Sequence, residues 1–139
     1  MQNLADNSFK NIKTDAVINA TYAASNAINR LFGVKEIDLM HEISEMAFVS
    51  APALKNIGLT VMDGQFCSMM PYGLSGLLSL SSVAYTHHKV SYDNLPHFDC
   101  QQVNTDCQPD FTSNCNTCIA KPKSNANKMM SQIKRYFGV

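Results

Sequence analysis

The residues best suited to chemistry lie together in one polar segment, between positions 97 and 118. They are four of the five cysteines and a histidine that precedes them: His97, Cys100, Cys107, Cys115 and Cys118. Four sulfur donors and an imidazole this close in sequence can hold a tetrahedral metal ion or form two disulfides. Either cross-link would stabilise a segment that has too few apolar side chains to build its own core.

The spacing of these cysteines leaves three states open. Cys115 and Cys118 are separated by two residues, the spacing at which a pair of zinc ligands shares one turn. Cys100 and Cys107 are farther apart, so the pattern contains one such pair and not two. We expect a structural metal site or disulfides, with unlinked thiols as the third alternative. No cofactor is certain from the sequence, and a structural zinc ion is the one that the pattern suggests.

Patterns typical of catalysis do not occur in the sequence. The Cys-x-x-Cys pair follows a polar loop, whereas a thioredoxin-type motif follows a strand and opens a helix. No G-x-S-x-G elbow and no phosphate-binding glycine loop are present. His41 and Glu45 are four residues apart without the rest of a metalloprotease motif, which favours an ion pair on a helix. We therefore predict that the protein is not an enzyme.

Length and charge limit the possible partners. At 139 residues the chain is expected to form a single domain over 1–139. Its eleven basic residues balance its eleven acidic ones, so no net field attracts nucleic acid or an anionic membrane. The first residues lack the basic and apolar regions of a secretory signal. We expect a cytoplasmic protein, or part of a particle that assembles inside the cell.

The elements that must position the cysteines are predicted to be helices. Apolar residues recur at three-and-four spacing along most of the chain. The segments that follow this spacing are 14–32, 35–49, 52–62, 65–86 and 124–139. The predicted fold class is all-α: a helical bundle of four to five helices with a long Cys-containing loop before the C-terminal helix. The helical core would span 1–86, the Cys-rich loop 87–123 and the basic C-terminal helix 124–139.

The central segment, 64–86, carries no formal charge. A helix there would be apolar on nearly all sides and would need cover on nearly all sides. Its length also fits a membrane span, which keeps a membrane-embedded subunit as an alternative. Small side chains in this segment and in the first helix would permit close helix contact. The predicted subunit interface consists of Ala20, Ala24, Ala27, Gly73, Gly76, Leu77 and Leu80.

These observations favour a structural function over a chemical one. We predict a non-enzymatic structural subunit of a self-assembling or multi-subunit protein assembly, of the filament, ribbon or shell type. Its partners would be copies of itself or other subunits, with no nucleic acid and no membrane. The first alternative is a zinc- or disulfide-stabilised adaptor that binds a protein. The second is a small membrane-embedded subunit that spans the bilayer with residues 64–86.

Overall fold

A computed structural model describes residues 2–3 and 5–137 of the chain. In these residues, six strands form two antiparallel sheets, and two helices accompany them. The strands are β1 (His41–Ser44), β2 (Ala47–Val49), β3 (Leu59–Val61), β4 (Cys67–Pro71), β5 (Leu78–Ser82) and β6 (His87–Ser91). The α-helices are α1 (Ser25–Leu31) and α2 (Ala126–Phe137). Short 3-10 turns cover Tyr22–Ala24, Pro52–Leu54, Asp99–Gln102 and Cys115–Thr117.

The larger sheet has the strand order β2-β5-β4-β3, and its centre is the hairpin of β4 and β5. In β5, Leu78, Leu80 and Ser82 are buried, and Ser79 and Ser81 between them are half-buried. This alternation is typical of a strand with one face against the core. The connection between the two strands turns sharply, with φ of 52° at Gly73 and 74° at Gly76. Only glycine adopts such angles at no steric cost, so these two residues allow the chain to reverse.

The core lies between this hairpin and α2. It consists of Cys67, Met69, Leu78, Leu80, Met129 and Ile133. Each aliphatic side chain that is fully buried contributes about 1.5–3 kcal/mol relative to an exposed one. The smaller sheet pairs β1 with β6, placing His41 opposite Ser91. Strand β1 thereby lies next to the segment that carries the cysteines.

The predicted all-α fold is wrong, because the central segment forms β4, a turn and β5 and not a buried helix. Alternation of apolar and small polar residues at a period of two, as in Leu78-Ser-Leu80, determines this hairpin. Because residues 64–86 carry no charge, no charged side chains mark the polar positions of this alternating pattern. In the described part of the chain, no helix is both long and apolar enough to cross a membrane.

The other predicted helices of the core are also mostly wrong. Of residues 14–32, only 22–31 are helical, as a 3-10 turn followed by α1. Residues 35–49 contain β1 and β2, and 52–62 contain a 3-10 turn and β3. Pairing with β6, β5 and β4 supplies backbone hydrogen bonds that outweigh weak helix propensity in these stretches. The range predicted for the C-terminal helix contains α2, and its last two residues lie outside the described part of the chain.

Candidate functional site

Four cysteines line one cleft, which has a volume of about 560 Å³. The cleft lies between β1 and the segment 96–122. Its sulfur-bearing residues are Cys100, Cys107, Cys115 and Cys118. His41 and its neighbours on β1 form part of the opposite wall. The structure therefore brings all four predicted cysteines to one place, although they are spread over 19 residues of loop.

Short turns position these cysteines. Cys100 lies in the 3-10 turn Asp99–Gln102, and Cys115 begins the 3-10 turn that Cys118 closes. The buried side chain of Gln101 fixes the first turn: its Nε2 donates to the carbonyl oxygen of Pro96 over 3.0 Å, and its Oε1 accepts from the amide of Phe98 over 2.8 Å. The same Nε2 also donates to Cys107 Sγ over 3.8 Å. Because a buried amide with three partners has one preferred orientation, Cys100 next to it is also held in place.

Two of the sulfur atoms accept hydrogen bonds from nitrogen. The amide of Ser113 donates to Cys107 Sγ over 3.4 Å. The amide of Ala120 and the side chain of Asn104 donate to Cys118 Sγ over 3.4 and 3.3 Å. Donors directed at sulfur are also found around metal-bound thiolates, where they offset negative charge.

Two of the cleft thiols, Cys100 and Cys115, have pKa values raised above the ordinary value of a thiol. Burial raises the pKa of the Cys115 thiol, and negative charge on Cys100, Cys107 and Cys118 would raise it further. Burial also raises the pKa of Cys100, which the nearby Lys89 partly opposes. Since the thiolate is the reactive form, these thiols are poorly suited to act as nucleophiles at neutral pH.

His41 is the residue of this site that the sequence reasoning did not place there. Its exposed fraction is 6%, and its Nε2 atom has no hydrogen-bond partner in the described part of the chain. Buried polar atoms in proteins are almost always hydrogen-bonded, so an unpaired one requires an explanation. Its burial follows from its place at the start of β1, where burial alternates along the strand, and no sequence motif marks it.

His97 was predicted as a ligand, but it does not line the cleft, although its neighbours Pro96 and Phe98 do. Its side chain is exposed, and its Nδ1 lies 3.4 Å from Asp93 Oδ2. In the residues that the structure describes, no group of three or more His, Cys, Asp or Glu side chains has a geometry that could hold a metal ion. All five cysteines fall within those residues and are free thiols there. The metal or disulfide cross-link remains a prediction.

The residues predicted for the subunit interface are dispersed. Ala20 is exposed, and Ala24 and Ala27 are half-buried around the start of α1. Gly73, Gly76 and Leu77 lie in the exposed turn between β4 and β5, while Leu80 is fully buried in the core. Leu80 therefore packs within its own chain, and the others lie in two stretches of the chain that are far apart in sequence.

Comparison with known proteins adds no relative: no protein-family model, no curated protein and no solved structure matches this chain.

Proposed function

We propose that this chain is a non-enzymatic structural subunit of a self-assembling or multi-subunit protein assembly, which forms in the cytoplasm or within an intracellular particle. The observation that carries the proposal is the large surface of the isolated chain, 10313 Å². A compact monomer of 15.4 kDa is expected to expose about 7,200 Å².

The size of this excess supports contact with other subunits. It amounts to about 3,000 Å², whereas each partner in an interface of standard size buries about 800 Å². Large apolar side chains contribute to it, because Ile18 and Tyr22 have exposed fractions of 90% and 92%. Leaving such side chains in water costs free energy that burial against another subunit would recover.

Part of this apolar exposure lies in residues 5–22, which we call the exposed segment. Every residue in it is exposed, and no helix or strand covers its residues 10–21. It contains five large apolar side chains: Phe9, Ile12, Val17, Ile18 and Tyr22. An extended chain with this composition is suited to lie across a neighbouring subunit and bury these side chains there.

The balance of charge supports the same proposal. Eleven positive and eleven negative side chains give no net charge, so copies of the chain do not repel one another through a net field. Self-assembly is therefore the first form of the proposal to test.

Size-exclusion chromatography with light scattering tests it on the full chain. We expect a mass of several chains, and a monomer that persists at high concentration would contradict self-assembly. The double variant Val17→Asp/Ile18→Asp should shift the mass towards that of one chain. The control Asn11→Asp/Thr14→Asp adds the same charge to the same segment without removing an apolar side chain, and it should leave the mass unchanged.

A second candidate function is a protein-binding adaptor whose binding loop is held by zinc or by disulfides. The observation that favours it is the cleft lined by four cysteines, since a cross-link there would make the 96–122 segment rigid. Binding of one partner protein by a chain that is otherwise monomeric would support the adaptor over the assembly subunit.

A further inference from the structure

The segment 92–125 has very little core of its own. Of its large apolar side chains, Phe98, with an exposed fraction of 7%, is the one that is buried among the described residues. A loop of this length without regular structure is rare in a compact domain unless it is functional or cross-linked. The side chains that could cross-link it all face the same cleft.

His41 gives independent evidence that this cleft takes a ligand. It comes from β1, far from the cysteines in sequence; it lines the same cleft, and its Nε2 is buried without a hydrogen-bond partner among the described residues. A neutral imidazole carries one N–H and one acceptor nitrogen. Leaving this nitrogen unpaired costs free energy, which a partner in the cleft would recover.

We propose that Cys100, Cys107, Cys115 and Cys118 bind one zinc ion as four thiolates, and that Nε2 of His41 donates a hydrogen bond to one of them. Sulfur ligands in this number select zinc among the abundant divalent ions and fit its tetrahedral preference. His41 is a positioning residue here, because it acts through a thiolate and does not touch the ion.

The protons and charges of this site balance. Each of the four thiols gives its proton to solvent when it binds, so the dication and four thiolates carry two negative charges in total. Lys89 and Lys121 lie close enough to Cys100 and Cys115 to offset part of this charge. The N–H donors at Cys107 and Cys118 already point at two of the sulfur atoms.

Binding requires the sulfur atoms to close in around the ion, because the described side chains do not yet stand in ligand geometry. Cys107, Cys115 and Cys118 lie on loop and a short 3-10 turn outside both sheets, so they can move towards Cys100, which the Gln101 turn holds in place. Formation of zinc–sulfur bonds supplies the free energy for this closure, as it does in small zinc domains.

Metal analysis of the full chain, purified with a reducing agent and loaded with zinc, is the first test. We expect one zinc per chain, lost in Cys100→Ser and in Cys118→Ser. The matched control is Cys67→Ala, which removes the core cysteine outside the cleft and should retain the zinc. No bound zinc, or retention of zinc in both cleft variants, would overturn the site.

Cobalt in place of zinc tests the ligands directly. Four thiolates should give the visible absorption bands of tetrahedral cobalt. They should also give a sulfur-to-cobalt charge-transfer band with the intensity expected for four sulfur ligands. His41→Phe should weaken zinc binding about 10- to 100-fold without changing that intensity, and His41→Gln should restore the affinity. A loss of intensity in His41→Phe would make His41 a ligand and overturn its assigned role, as would unchanged affinity.

Two outcomes separate this inference from the proposed function. If the mass of the untreated chain shows two disulfides that persist in the absence of reductant and no metal, the zinc site is wrong. Light scattering on the same samples tests assembly independently. A zinc-loaded monomer would support the zinc site and contradict assembly. A metal-free oligomer would support assembly and contradict the zinc site.

Discussion

At the scale of single residues, Asn26 shows how a polar side chain can organise this chain. It is fully buried in α1. Its Nδ2 donates to the carbonyl oxygens of Ile37 and Asn94 over 2.8 and 2.7 Å, and its Oδ1 accepts from the amide of Ile37 over 3.0 Å. One amide thus connects α1 to the segment before β1 and to the loop after β6.

We predict that Asn26→Asp lowers the free energy of unfolding by about 3 kcal/mol or more. The substitution keeps the shape but places a carboxylate oxygen against two carbonyl oxygens, so two hydrogen bonds are lost and a charge is buried unpaired. Urea denaturation, with the midpoint compared at constant slope, measures the change.

The control for Asn26 is Asn127→Asp, which changes an exposed residue in the first turn of α2. It should alter the free energy of unfolding by about 0.5 kcal/mol or less. Equal effects of the two substitutions would contradict the role assigned to Asn26.

The residues of the cleft were only partly accessible to sequence reasoning. The four cysteines stand out because of their type and spacing, and they line one cleft. His41 belongs to the same cleft through the pairing of β1 with β6, a contact between residues 50 positions apart. No local pattern encodes such a pairing, so the sequence predicts His97, the histidine nearer to the cysteines along the chain, as the ligand instead.

At the scale of elements, α2 is fixed to the sheets at both its start and its middle. Glu45 receives hydrogen bonds from Ser124 Oγ and, over 2.8 Å, from the amide of Asn125 just before the helix. His88 on β6 lies 2.9 Å from the same carboxylate. In the middle of α2, the buried Gln132 accepts from Ser82 Oγ over 2.5 Å. A carboxylate at the helix N-terminus also interacts favourably with the helix dipole.

We predict that Glu45 makes stability fall at acidic pH. Burial of its carboxyl would raise the pKa, but the hydrogen bonds from Ser124, Asn125 and His88 outweigh it and hold the pKa below the ordinary 4.5. Its contribution is therefore fully present above about pH 4.5 and is lost as the pH falls through the lower pKa of the folded state.

Glu45→Gln should reduce the free energy of unfolding at pH 7 by about 1–2 kcal/mol and flatten its decline below pH 4.5. Denaturation at a series of pH values measures both effects. The control is Glu42→Gln on β1, whose partner His87 lies 2.7 Å away on the surface, where a pair contributes about 0–1 kcal/mol. An equally steep decline in Glu45→Gln would show that other groups cause it.

Local sequence predicted one type of element better than the other. The apolar residues of α2 recur at helical spacing, and Met129 and Ile133 are the buried ones. The strands are short, three to five residues, so each offers only one or two repeats of the alternating pattern. A pattern this brief resembles part of a helix until its partner strands are known.

At the scale of the whole molecule, the chain has a small core and a large apolar surface. The core cluster contains six buried side chains, all from β4, β5 and α2. The exposed segment, residues 5–22, lies outside it. Under the proposed function, a neighbouring subunit would bury the apolar side chains of that segment.

We predict that hydrogen exchange of residues 10–21 depends on assembly. In an isolated chain these amides should exchange rapidly, because no helix or strand protects them. In the assembled state they should be protected, whereas peptides from β4 and β5 should exchange slowly in both states. Mass spectrometry of samples above and below the concentration of assembly makes the comparison. Rapid exchange of 10–21 in both states would mean that another surface forms the contact.

The sequence by itself determined the composition that limits partners, the cluster of sulfur donors and the position of the C-terminal helix, because each is a property of neighbouring residues. Tertiary structure decided the rest. Pairing between distant strands made the uncharged middle a hairpin, buried Leu80 inside the chain and brought His41 to the cysteines. Backbone hydrogen bonds between strands carry little trace in the sequence of either strand alone, and this is the physical reason why helices were predicted where sheets form.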